Sequence, residues 1–124
     1  MAIQITTEQM MTYQATARRR RAEEQRHLMQ RHEQAWALAR QAAALLRERF
    51  GAERIAAFGS LVHPELFHAQ SDVDLAVWGL DQQQYYRAVA QLLALDPTVE
   101  IDLVMVEDAS APLRGRIEAE GVIL

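Results

Sequence analysis

Ile55-Ala56-Ala57-Phe58-Gly59-Ser60 and, after eleven further residues, Asp72-Val73-Asp74-Leu75-Ala76-Val77-Trp78 read as two short strands, the first ending in a Gly-Ser turn and the second opening on two carboxylates. Successive side chains of a strand point to opposite faces. Asp72 and Asp74 therefore share one face, while Val73, Leu75 and Val77 pack on the other. Two adjacent carboxylates repel, and a strand tolerates them best where a cation sits between. Asp102 raises the same question inside Ile101-Asp102-Leu103-Val104-Met105-Val106. A carboxylate buried in such a run needs a partner, and no neighbouring Lys or Arg supplies one. A shared metal site answers both.

Around this centre the pattern predicts strands at Ile55 to Phe58, Val73 to Trp78 and Val99 to Val106. The loop Leu61 to Ser71 is expected to hold a helical turn after Pro64. Asp81 caps a helix through Leu95, with Tyr85, Val89, Leu92 and Leu93 on its core side, and Asp96-Pro97 ends it. A last helix covers Ala111 to Glu120, Gly121 caps it, and Val122-Ile123-Leu124 is extended. Glu100 shares a strand face with Asp102 but lies nearer the strand's start, so it reads as a solvated edge residue.

Upstream, Ile3 to Ile5 is a short extended piece, and Thr6 or Thr7 can cap a helix, with Gln9 three residues after Thr6 completing a capping-box pattern. From there to Phe50 neither Gly nor Pro occurs. One helix of more than forty residues, or two that break within Arg18 to His32, fits this stretch. Leu38, Ala42, Leu45, Leu46 and Phe50, flanked by Trp36, Ala39 and Ala43, form an apolar stripe that packs on the sheet. Gly51 stops the helix. Arg18 to Arg31 has no such stripe, so it projects or meets a partner. The run Arg18 to Arg21 reads first as a solvated face with i,i+4 pairing, Arg20 to Glu24 for instance, and second as a partner contact. His63 and His68 read as loop histidines, and the equally spaced His27 and His32 as uninformative.

Length and composition bound the rest. The 124 residues fit one domain, with 37–124 as the core and 1–36 as a helical extension. No apolar run is long enough to span a membrane and no signal region is evident, so a cytoplasmic location without membrane association is expected. The chain has no Cys, and all thirteen basic residues are Arg. Disulfides, thiolate chemistry and lysine-based phosphate binding are thereby excluded. Residues 1–50 carry nine Arg against five Glu, while residues 51–124 carry four Arg against twelve acids, for a net charge of −4 overall. So acidic a C-terminal half argues against direct nucleic-acid binding there and suits a site that loads a cation first.

The ordered set Phe58-Gly59-Ser60, Ser71-Asp72-Val73-Asp74-Leu75 and Glu100-Ile101-Asp102-Leu103-Val104 resembles the DNA polymerase beta-like nucleotidyltransferase superfamily. The small size narrows the likeness to its minimal (MNT) members. The resemblance spans about Leu38 to Leu124. It implies an α/β nucleotidyltransferase fold, a small mixed β-sheet flanked by helices, here with a long N-terminal helical extension. It implies ATP as substrate, with Gly59, Ser60 and Ser71 at the nucleotide and Asp72, Asp74 and Asp102 as catalytic metal ligands for two Mg2+ ions. MNT proteins typically accompany a HEPN-domain RNase toxin. The function implied is thus an antitoxin that transfers AMP to a hydroxyl, a tyrosine's, on that toxin. A small-molecule transferase of the aminoglycoside kind and a non-catalytic antitoxin that neutralises by binding alone are the alternatives. One departure stands out. Many members carry Arg and Gly soon after Gly-Ser, whereas this chain reads Leu61-Val62-His63-Pro64 and has no Arg from Leu61 to Tyr86.

Overall fold

The computed structural model describes residues 4–124, so the extended piece expected at Ile3 to Ile5 begins outside the described residues; Gln4 and Ile5 themselves are irregular and exposed. One uninterrupted helix, α1 (Thr7–Phe50), opens the fold and settles the choice between one helix and two. Its start is the expected capping box: the Thr6 side chain accepts from the Gln9 amide, and the Gln9 side chain accepts from the Thr6 amide. Gly51 ends it in the left-handed conformation at φ 66°.

Then follow β1 (Arg54–Phe58), β2 (Val73–Trp78), α2 (Tyr85–Leu93), β3 (Ile101–Met105), α3 (Ala111–Glu120) and the short β4 (Val122–Ile123). The sheet order is β3-β2-β1-β4. β1 runs antiparallel to β2 and β4, and β2 runs parallel to β3. The sheet is therefore mixed.

Its two faces are covered unequally. On one, Ile55, Ala57, Val73, Leu75, Val77, Ile101 and Leu103 meet the packed half of α1 (Ala35, Leu38, Ala39, Ala42, Ala43, Leu45, Leu46) together with Ala88 and Leu92 of α2. On the other, a smaller cluster of Ala56, Phe58, Ala76 and Val106 rests against Ile117 of α3. The alternation of β1 to β3 produces both faces at once.

Three expectations shift. The third strand is shorter than Val99 to Val106. Glu100 is exposed, and Val106 opens a 3-10 turn in which the Glu107 carboxylate accepts from the Gly79 amide at 2.8 Å, drawing the chain out of the ladder. Asp81 caps a 3-10 turn, Gln82–Gln84, before α2 begins, and Leu93 is exposed because Ala88 and Leu92, four residues apart, already fill the contact. The short helix of the active loop lies at Gly59–Val62; after Pro64 there are only hydrogen-bonded turns. Among the described residues no helix is long and apolar enough to cross a membrane.

Candidate active site

Phe58, Asp74 and Asp102 sit side by side across three strands, because the register pairs Phe58 with Asp74 and Asp74 with Asp102. Gly59 follows immediately, at φ 73°. A Cβ there would overlap the Asp74 carboxylate, so glycine is required both for the turn and for the space. The Gly59–Val62 turn presents Ser60, half-buried, whose hydroxyl takes no partner among the described residues. The Gly-Ser signature and the second aspartate are thus one packed unit.

The electrostatics agree. Burial pushes the Asp74 carboxyl from 3.8 up to about 6, and the charges of Asp102 and Asp72 and a hydrogen bond shared with Asp102 push in the same direction. When protonated, Asp74 donates to Asp102, so a proton supplies the positive charge this cluster lacks. The sequence reading is corrected on one point. Asp102 is exposed, not buried, since β3 is an edge strand and α3 covers the far end of this face. What strains the cluster is the company of Asp74, not an apolar surround.

Among the described residues no three acidic, His or Cys side chains already close on one point as a finished metal cage. The fit lies in the donors. An all-oxygen set with no opposing Lys or Arg and a raised carboxyl pKa suits a hard divalent cation such as Mg2+. Asp72, Asp74 and Asp102 are the residues that would hold it.

The remaining predicted residues take varied places. Ser71 is buried, and its Oγ accepts from the His68 amide at 2.9 Å, bracing the loop that leads to Asp72. His63 is held by Glu120 at 3.2 Å and Glu65 at 3.5 Å, which ties the loop to α3. Tyr85 donates to the Leu103 carbonyl at 2.7 Å, and Tyr86 stands exposed beside it. Both border an open groove of about 530 Å³ along β3, with Val104, Met105 and Leu113.

One participant escaped the sequence reading. His32 Nε2 lies 2.8 Å from the Leu61 carbonyl, and its ring packs 4.6 Å from that of Phe67. The imidazole donates to the very turn that presents Ser60. Its signal was the spacing Leu28, His32, Ala35, Ala39, Ala42, Leu46, which places it on the apolar stripe of α1.

No curated protein matches the chain. Among solved structures, a toxin–antitoxin complex with AMP-PNP is 26% identical at TM-score 0.59, covering 68% of this chain and 70% of that one. The MNT antitoxin in complex with a tri-AMPylated HEPN toxin from Shewanella oneidensis shares the fold at 22% identity and TM-score 0.55, with 72% and 70% covered. A minimal nucleotidyltransferase is 26% identical at TM-score 0.50, with 80% and 94% covered. The family profile described as "Polymerase beta, Nucleotidyltransferase" matches residues 40–124. With the Gly-Ser turn wedged against paired aspartates, that match makes the chain a member of the polymerase beta-type nucleotidyltransferase family.

Proposed function

We propose that this protein is an antitoxin that transfers AMP from ATP to a tyrosine hydroxyl of a HEPN-domain RNase toxin. The observation that carries the reading is the in-register Asp74–Asp102 pair backed by Gly59, in a fold shared with antitoxins whose structures hold AMP-PNP or an AMPylated toxin. Residues 37–124 form the catalytic core, and residues 1–36 the extension.

The Gly59–Val62 turn lets the triphosphate approach the backbone, and Ser60 donates its hydroxyl to it. Asp72, Asp74 and Asp102 would hold two Mg2+ ions, which when bound would supply charge stabilisation to the displacement. The toxin's tyrosine comes to β3 along the groove beside Val104 and Tyr86. Asp102 orients the hydroxyl and takes its proton. The oxygen bonds to the α-phosphorus as the bond to the pyrophosphate oxygen breaks. No side chain of this protein is modified on the way.

Intact mass spectrometry of the HEPN-domain partner, after incubation with this chain, ATP and magnesium, tests the reading. A gain of one or more AMP masses, absent with Asp74→Ala, is the expected result. A tight complex without mass gain would instead favour neutralisation by binding alone. The want of any Arg between Ser60 and Arg87 gives that second reading its footing.

A further inference from the structure

From Thr7 to Gln30, about 36 Å of helix, every residue of α1 is exposed except Thr16 and Leu28, which are half-buried. The segment lies outside the family match, which begins at residue 40. A helix with no packed face gains no stability from tertiary packing, and beyond its capping box nothing internal to it makes up the difference. Among the described residues the close ion pairs are those of His63 alone, so the pairing expected between Arg20 and Glu24 does not form. Nor does Arg18, Arg19, Arg20, Arg21 or Arg26 take a side-chain hydrogen-bond partner among the described residues. What holds the arm in solution is its far capping box and its continuity with the packed half.

The surface of the arm carries Arg, Met and Tyr, three residue types enriched in protein interfaces. Met10 is 46% exposed, Met11 62%, Tyr13 70% and Met29 65%. Met11, Ala15, Ala22 and Met29 fall on one line of the helix, as spacings of four and seven dictate. Around them run the arginines: six between Arg18 and Arg31, against Glu23 and Glu24. Four consecutive positions turn through about 300°, so Arg18 to Arg21 form a collar that no single approach avoids.

From this we infer that the exposed half of α1 is a docking arm for an acidic helical face of the HEPN-domain partner, one with an apolar seam to cover the Met11–Met29 line; this rests on the partner named above. The charge selects the occupant. A second copy of the arm, laid parallel or antiparallel in full overlap, brings the two arginine runs together, because they sit at the middle of the exposed segment. RNA would meet a chain whose residues 51–124 carry four Arg against twelve acids. An acidic protein helix meets neither obstacle. Docked there, it lies on the helix whose His32 holds the Ser60 turn, so the arm also fixes how the acceptor is presented.

Titration calorimetry of the chain against its HEPN-domain partner tests this with two variants. One is Arg18→Glu with Arg21→Glu; the other is Met11→Ser with Met29→Ser. The expected result is a loss of affinity of about 30-fold or more for the first and about tenfold for the second, with helical circular dichroism and ATP binding unchanged. Wild-type binding with both variants within about twofold overturns the arm but leaves the proposed function standing. Absence of wild-type binding overturns both. A homodimer in light scattering that only the wild type forms, or binding of a fluorescein-labelled single-stranded RNA that only the wild type shows, with partner affinity unchanged, assigns the arm to a second copy or to RNA and overturns the inference.

Discussion

β2 has two faces that do opposite work. Val73, Leu75 and Val77 are completely buried against α1 and α2. Asp74, on the reverse side, is half-exposed in a cluster of like charge. One face gains stability by removing apolar surface from water. The other gives stability up, because repelling carboxylates are held close without a counterion. The lesson is that fold and chemistry are separable along a single strand, one residue apart, and mutation can tell them apart.

The widest separation is expected at Asp74→Ala. Adenylyl transfer should fall at least about 100-fold, with the thermal midpoint unchanged or raised, measured by product mass and by a melting curve on the same sample. The mirror case is Leu75→Ala, which should cost about 2 to 5 kcal/mol of unfolding free energy by urea titration and leave turnover per folded molecule near wild type. If Leu75→Ala instead removed activity from well-folded protein, the division between faces would collapse. Ser60→Ala should reduce kcat/KM at least about tenfold, through loss of one preorganised donor.

His32→Ala probes the link between the faces, since this residue belongs to the packed helix and acts on the turn. Loss of one hydrogen bond predicts a rise in KM for ATP of about fivefold with kcat within about twofold, and His32→Gln should restore most of it. The smallest effect concerns charge. Asp74 keeps its proton up to about pH 6 in the fold but only to 3.8 when unfolded. The folded state therefore binds more protons across that window, and stability falls as pH rises from about 4 to about 6, then stays low. Asp74→Asn should stabilise the metal-free protein by about 1 kcal/mol near neutral pH, a figure reduced for the solvent screening of a half-exposed group. The gain should vanish at about pH 3.5. Equal melting curves for both proteins at neutral pH would mean that the carboxylates are not strained.

The sequence disclosed much of this, and the reasons are local. The strands around Phe58 and Asp74 are legible because alternation and the Gly-Ser turn lie within a few residues. The ends of α1 are legible because capping is local chemistry. That Asp74 and Asp102 are neighbours required the parallel register of β2 and β3, which no period along the chain encodes; the family resemblance supplied it. The same nonlocality hid the exposure of Asp102, which depends on β3 being an edge. His32 was overlooked because its partner is a backbone carbonyl 29 residues away. Strand and helix boundaries near Val106 and Tyr85 moved because Glu107 and Asp81 bond to amides that compete with the regular ladder.

The unbroken course of α1 has a consequence for how this chain can change over time. Away from the arginine collar and the Met11–Met29 line, substitution along the exposed half is cheap, since few side chains there touch anything within the molecule. Insertion is not. One extra residue between Gln30 and Arg21 would swing everything beyond it by about 100° and advance it by about 1.5 Å, turning the Met11–Met29 line away from its former bearing. Seven extra residues would nearly restore the bearing and lengthen the reach by about 10 Å. Among variants of this arm, side chains off the arginine collar and the Met11–Met29 line should therefore drift freely while length changes come in steps near seven.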